Sequence, residues 1–329
     1  MKPFSLLLCV LGLVTTLSAQ DPAFSHFYTS EAIFNPAYVG YSGATTISIR
    51  GRTQWQTQTA TEFFTRQVMY EESLPCAPID YGFSWLTDIE GEGALRTTEL
   101  SPKIAFTLPL AGKRSLYSDL NIRVGAEFKI GRRNINFDDL IFLDQLDPLY
   151  GLVDRNGNAN PTGFVPGSGE ESRWYTSPTL GLLITGVTED KNREPWSYEI
   201  GAAIHNWDYF VSADSRQSAS LNGLNNPLGE RLVLSARVER TLYQKNGNYF
   251  SVRPQIVYQN QVGLSYLEVG SSFLLSRSFT AGMYYHAAGA SELGTNSNWV
   301  SLQLEIGGVV TSNTRVDFGF AFSLPAGGL

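Results

Sequence analysis

Cysteine is nearly missing from this 329-residue chain: Cys9 sits in the opening apolar run and Cys76 stands alone downstream. A solitary cysteine makes no internal disulfide, so nothing in the bulk of the chain is stapled covalently. Histidine is equally sparse. His26, His205 and His286 lie in different segments, without the compact His/Cys/carboxylate spacing of a metal site. Basic residues are few, 24 Lys and Arg against 31 Asp and Glu for a net charge of -7, and no basic stripe interleaves with aromatics. That excludes a nucleic-acid footprint. The glycine-rich stretches lack a phosphate-loop lysine, and Gly167-Ser168-Gly169-Glu170 is not a nucleophile elbow. The reading is therefore of a protein that is not an enzyme, with no cofactor, catalytic residue or metal.

A second long apolar run is also missing. The first, residues 4–14, follows Lys2 and precedes the small-residue end Leu17-Ser18-Ala19. It reads as a signal peptide over residues 1–19, cut before Gln20, because it is shorter than the roughly 20 residues a membrane helix needs. Cys9 is not at the cut, so a lipid anchor on a processed cysteine is unsupported.

What the chain has instead is glycine (31), aromatics (19 Phe, 16 Tyr, 6 Trp) and two-residue alternation. Glycine and rings suit strands crossing a lipid slab with aromatic girdles, although soluble β-sandwiches share that composition. In residues 120–129, Leu120, Ile122, Val124, Ala126 and Phe128 alternate with Asn121, Arg123, Gly125, Glu127 and Lys129. A helix would scatter the two sets around its circumference, whereas a strand puts them on opposite faces. Leu232, Leu234, Ala236 and Val238 oppose Arg231, Ser235, Arg237 and Glu239, with Val233 the one apolar intruder on the polar side. Thr314, Val316, Phe318, Phe320 and Phe322 oppose Arg315, Asp317, Gly319, Ala321 and Ser323. Ten further segments, at 45–50, 62–69, 81–88, 100–108, 175–186, 198–207, 250–258, 264–275, 279–286 and 300–310, bring the strands to thirteen. Bacterial outer-membrane barrels carry an even number, so one more is expected, hidden in an irregular hairpin between Thr53 and Met69.

Most connections are short, but residues 134–173 form a long one. Phe142, Leu143, Leu146, Leu149, Tyr150 and Phe164 supply apolar docking points there for a partner. The alternative is a folded loop that closes one mouth of the barrel. The stretch 154–160 (Asp-Arg-Asn-Gly-Asn-Ala-Asn) partly matches a calcium loop but lacks its acidic terminator and helical flanks, which favours turn chemistry.

The start of the mature chain carries a more specific pattern. Residues 20–28 (QDPAFSHFY), Asn35-Pro36-Ala37-Tyr38-Val39-Gly40 and Arg52-Thr53-Gln54-Trp55, then residues 80–88 (DYGFSWLTD) and 135–148 with Asp138-Asp139, follow one another in the order seen in the PorP/SprF family. The chain resembles that family of type IX secretion-associated outer-membrane proteins. Residues 27–34 depart from the family's more amide-rich, methionine-containing approach and place Glu31 there. The resemblance implies an all-β transmembrane outer-membrane β-barrel of 14 antiparallel strands. On this reading the domains are the signal peptide (1–19), an amino-terminal plug or lead-in segment (20–43) and the barrel (44–329). Asp21, Phe24, Asn35, Pro36 and Tyr38 would form the plug, Arg50 and Arg52 would help hold it, and Trp55 would mark the interface belt. Simple solvation of the lumen is the plainer role for the arginines. The lipid-facing rows would be Leu120, Ile122, Val124 and Phe128, and Val316, Phe318, Phe320 and Phe322, because an open sheet in hydrocarbon would expose unpaired backbone groups. The resemblance further implies a noncatalytic secretion subunit. Its partners would be outer-membrane lipid, type IX components and a secreted surface protein, such as an adhesin, held through its carboxyl-terminal secretion domain; gliding motility belongs to the same expectation. The alternative is a diffusion channel for small polar solutes.

Overall fold

The computed structural model describes residues 27, 31–54, 63–74, 77–91, 95–110, 118–137, 140–165, 172–189, 195–207, 229–245, 248–261, 263–276, 278–290, 295–311 and 314–326. Residues 1–19, which the sequence reads as a signal peptide, and Asp21, Phe24, Trp55, Cys76, Asp138 and Asp139 lie outside that set. Thirteen strands form one antiparallel sheet in sequence order: β1 (Thr46–Gln54), β2 (Phe63–Ser73), β3 (Ile79–Glu90), β4 (Leu95–Pro109), β5 (Ser118–Asn134), β6 (Ser172–Glu189), β7 (Pro195–His205), β8 (Arg231–Lys245), β9 (Asn248–Gln261), β10 (Leu264–Leu275), β11 (Phe279–Ala290), β12 (Thr295–Thr311) and β13 (Thr314–Pro325). Each strand read from alternation is present, six of the thirteen (β3, β4, β5, β6, β9 and β12) longer at both ends. The extra strand expected between Thr53 and Met69 is not found among the described residues. Gln54 ends β1 and pairs with Phe63, the first residue of β2, so the ladder leaves only residues 55–62 between them.

The sheet is inverted relative to a soluble protein. On β3, Tyr81, Phe83 and Trp85 are exposed while Asp80, Ser84 and Asp88 are buried; on β5, Val124 and Phe128 are exposed while Arg123, Glu127 and Lys129 are buried. Burying a charge is tolerated only when it is paired and hydrogen-bonded. Accordingly Lys103 pairs with Glu127, Lys129 Nζ lies 3.1 Å from Glu99, Tyr175 donates to Glu99, and Gln255 Nε2 donates to Glu268 at 2.6 Å.

One irregular segment supplies the apolar core. It comprises Phe27, the short helix α1 (Glu31–Phe34) and a 3-10 turn (Pro36–Tyr38). Phe27, Ala32, Phe34, Ala37, Tyr38 and Val39 pack against Met69 of β2, Ala105 of β4, Leu183 of β6, Ala203 of β7, Val233 of β8 and Val257 of β9. A single short segment touches strands that far apart only if the sheet curves around it. Val233, the apolar intruder read from the sequence, thus meets the segment, and Ala203 sits opposite it in the ladder.

Candidate functional site

Asn35 organises the segment. It caps the 3-10 turn, its Oδ1 accepting from Ala37 N at 2.9 Å. Its Nδ2 donates to the backbone carbonyls of Leu182 (3.0 Å) and Ala202 (3.3 Å) on β6 and β7. Pro36 takes the first position of the turn, where its fixed φ and missing N–H carry no penalty. Tyr38 is buried edge-on to Phe27 and Tyr41, each with ring centroids 5.8 Å away. Gly40 has φ +67°, and a Cβ there would stand 2.6 Å from Asp80 Cβ, so both conformation and space demand glycine. Gly125 and Gly181 are needed for close approach: a Cβ would overlap Ala37 N at the first and Asn35 Oδ1 at the second.

Backbone carbonyls of the segment face one arginine and one histidine. Arg123 of β5 donates from Nε to Ala37 O (2.9 Å) and from Nη2 to Val39 O (2.6 Å), while Nη1 reaches Thr107 Oγ1 and Nη2 lies 2.8 Å from Asp80 Oδ2. His205 Nε2 is 2.7 Å from Phe34 O. A carbonyl only accepts, so that nitrogen carries the proton and leaves Nδ1 to accept from Thr179 Oγ1 at 3.2 Å. Arg237 of β8 joins Glu31 to Glu199, so the residue that departs from the family pattern is itself an anchor.

Arg50 and Arg52 lie half-buried on the concave side of β1, and Arg50 Nη1 donates to Gln67 Oε1 at 3.1 Å. The arginines seen bonded to residues 31–39 are Arg123 and Arg237. Sequence reasoning missed them in this role. Both stand in polar rows of plainly alternating strands, but alternation does not say which row meets the amino-terminal segment.

The long connection folds on itself. Asp144 accepts from Thr162 Oγ1 and from Gly163 N at 2.6 Å, Asp147 Oδ1 from Leu149 N and Tyr150 N, and Asp154 Oδ1 from Asn156 N and Asn158 N. The local bonds of Asp147 and Asp154 are Asx turns, the turn chemistry that the residue types favour, while Asp144 ties together parts of the loop 18 and 19 positions apart. The Gly163 N–H leads the bonds that hold the Asp144 carboxyl below the usual carboxylate range, and the Asn158 side chain does the same for Asp154. Phe142 and Phe164 stack at 4.6 Å, with Phe137 5.3 Å from Phe164. Leu143 and Leu149 point outward, 85% and 86% exposed, with Leu146 and Tyr150 also exposed.

Residues 16–329 match the family described as type IX secretion system membrane protein PorP/SprF. The chain belongs to the PorP/SprF family. This PorP/SprF protein is accordingly a secretion-associated membrane protein with an all-β fold, and it is noncatalytic. Comparison with curated proteins finds no match. Among the described residues no group of three or more His, Cys, Asp or Glu side chains could hold a metal ion. The Ser301–His286–Glu268 grouping, with His286 Nε2 2.5 Å from Ser301 Oγ, is fully buried and stacked under Trp299, a packing cluster and not an open site. No described helix is long and apolar enough to cross a membrane, which says nothing of strands.

Proposed function

We propose that this PorP/SprF protein is a plugged outer-membrane barrel that holds a secreted surface protein, through that protein's carboxyl-terminal secretion domain, by way of its exposed connections. Residues 20–43 are the plug and lead-in, and residues 44–329 the barrel, whose concave face is the lumen. The observation that carries the reading is the seating of residues 31–41 by Arg123, Asn35 and His205, which fills the concave face with bonded chain. A filled lumen disfavours the diffusion-channel reading. It leaves the exterior as the contact surface, and the ridge of Leu143, Leu146, Leu149 and Tyr150 on the long connection is apolar, exposed and carried by a self-folded loop. Exposed apolar groups on a structured support are the usual anchors of a protein interface. Outward rows such as Tyr81, Phe83 and Trp85 suit contact with lipid.

The test combines three measurements on purified, detergent-extracted protein. Heat-modifiable migration and outer-membrane fractionation report the barrel, single-channel recording reports the plug, and co-purification of the exported partner after shortening residues 140–165 reports docking. Loss of binding with an intact, silent barrel supports the proposal. Stable solute-selective conductance with unchanged surface display of secreted proteins on deletion overturns it in favour of a channel.

A further inference from the structure

The long connection leaves the sheet at the same end as residues 206–230 between β7 and β8, whereas the connections at the other end are no longer than residues 110–117 between β4 and β5. Outer-membrane barrels keep short turns on the periplasmic side and longer loops outside, so on the barrel reading above the long-connection end faces out. Just inside that end, the pairing register lines up one outward residue per strand from β2 to β6: Arg66, Thr87, Thr98, Arg132 and Trp174. Arg66, Arg132 and Trp174 are exposed, while the strand neighbours Thr65, Asp88, Thr97, Glu99 and Arg133 are buried on the concave side. One step toward the middle of the sheet, β2 to β5 present Val68, Trp85, Leu100 and Ile130, all apolar and exposed. One step toward the end, exposed Arg96 pairs with Asn134 and stands diagonal to Arg132. The outward wall thus changes from apolar to cationic between two adjacent outward levels.

We infer that this row is a binding site for a phosphorylated, multiply acylated glycolipid of the outer leaflet, its phosphates on the arginines and its acyl chains on the apolar level beneath them. The inference rests on the outer-membrane barrel reading above. Charge complementarity and continuity with the apolar wall argue for the occupant. Whatever meets Arg66 and Arg132 must continue onto Val68, Trp85, Leu100 and Ile130, which a barrel turns toward hydrocarbon; an anionic headgroup with its chains attached does both. Arg66 and Arg132 stand three strands apart, about 14 Å at the usual strand spacing. That breadth suits a headgroup with several chains and more than one anionic group.

Two rings position the cations. Arg66 Cζ lies 4.4 Å from the centre of the Phe64 ring, and Arg132 Cζ lies 5.7 Å from that of Trp174. Stacking uses the face of a guanidinium while its N–H groups radiate in the plane, the geometry that takes a phosphate in two parallel bonds. Thr87 and Thr98, directly opposed between the two arginines, bring hydroxyls that donate to phosphate or sugar oxygens. Near the opposite end of the sheet, Arg240 of β8 stacks over Trp196 at 4.6 Å, a cation–ring pair of the same kind outside the row.

The test titrates the detergent-extracted full chain by native mass spectrometry with purified lipid A, with phosphatidylglycerol or with inorganic phosphate. Lipid A adducts are expected, with phosphatidylglycerol at least about tenfold weaker and phosphate alone not retained. Arg66→Gln with Arg96→Gln should weaken lipid A binding about tenfold or more, because charge-assisted hydrogen bonds are lost, while Arg240→Gln should leave it unchanged. Arg96→Gln alone carries the test if the double variant does not fold. Equal binding by the substituted row and the unsubstituted protein, an equal loss in Arg240→Gln, phosphatidylglycerol matching lipid A, or retention of phosphate alone each overturn the inference. Heat-modifiable migration and outer-membrane fractionation of the same variants separate the two readings. If both persist while the lipid result fails, only the lipid site falls; if both are lost in unsubstituted protein, the barrel reading falls and the lipid site with it.

Discussion

Residues 31–41 and residues 140–165 are both irregular chain, and their polar groups find partners in opposite places. The first segment hands its carbonyls to side chains some 80 to 170 positions away, Arg123 and His205, and buries nearly all its apolar groups against six strands. The second satisfies itself through Asp144, Asp147 and Asp154 within at most 19 positions and leaves Leu143 and Leu149 in the open. The lesson concerns dependence. The amino-terminal segment takes its partners from the sheet it packs against, whereas the long connection is held by bonds within itself.

The contrast breaks most severely at Arg123. Arg123→Met removes the donors to Ala37 and Val39 and strands Asp80 in a buried site, a loss of about 3–5 kcal/mol for breaking a buried pair. The heat-modification midpoint should fall and protease should reach residues 31–41, while Arg50→Met, which loses a bond to Gln67, should do less. Next, Gly125→Ala and Gly181→Ala should each cost ~1–3 kcal/mol by overpacking against Ala37 and Asn35 and should raise conductance by unseating the plug, whereas Gly308→Ala, with nothing within 4 Å, should be silent. On the other side of the comparison, Leu143→Asp with Leu149→Asp should leave barrel stability within about 0.5 kcal/mol, as exposed substitutions do. The same pair should weaken partner co-purification by about 1–2 kcal/mol or more.

The smallest effect is electrostatic. Asp144 and Asp154 have folded values held below the unfolded one, so their contribution is complete above the unfolded Asp value of about 3.9. It is lost as pH falls through the lower folded values. Hydrogen exchange at the Asn156 and Asn158 amides should therefore be unchanged in protection between neutral pH and about pH 5 and lose protection only in stronger acid. Loss of protection nearer neutrality would show that the loop is not held by these carboxylates.

Alternation was enough to read each strand, and enough to say that Val124 and Phe128 face away from Arg123 and Glu127, because side-chain period in a strand is strictly two. Strand ends were less legible: β5 extends to Asn134, five residues beyond the clear alternation, because Gly131 and the charged run around it obscure the pattern. Val233 stood out as an apolar residue in a polar row and lies in the core built around residues 27–39, and Met69, Leu183 and Val257 carry the same legible signal.

By itself, then, the sequence determined local conformation and facing: thirteen strands, an Asn-Pro-Ala-Tyr turn, Asx turns in the long connection and the family to which the chain belongs. Only the tertiary structure decided that Arg123 and Arg237, not Arg50, bond residues 31–39. The reason is physical. Facing follows from the two-residue period of one strand, whereas partnership follows from how far successive ladders shift and curve, a quantity summed over many strands and carried by no single stretch of sequence.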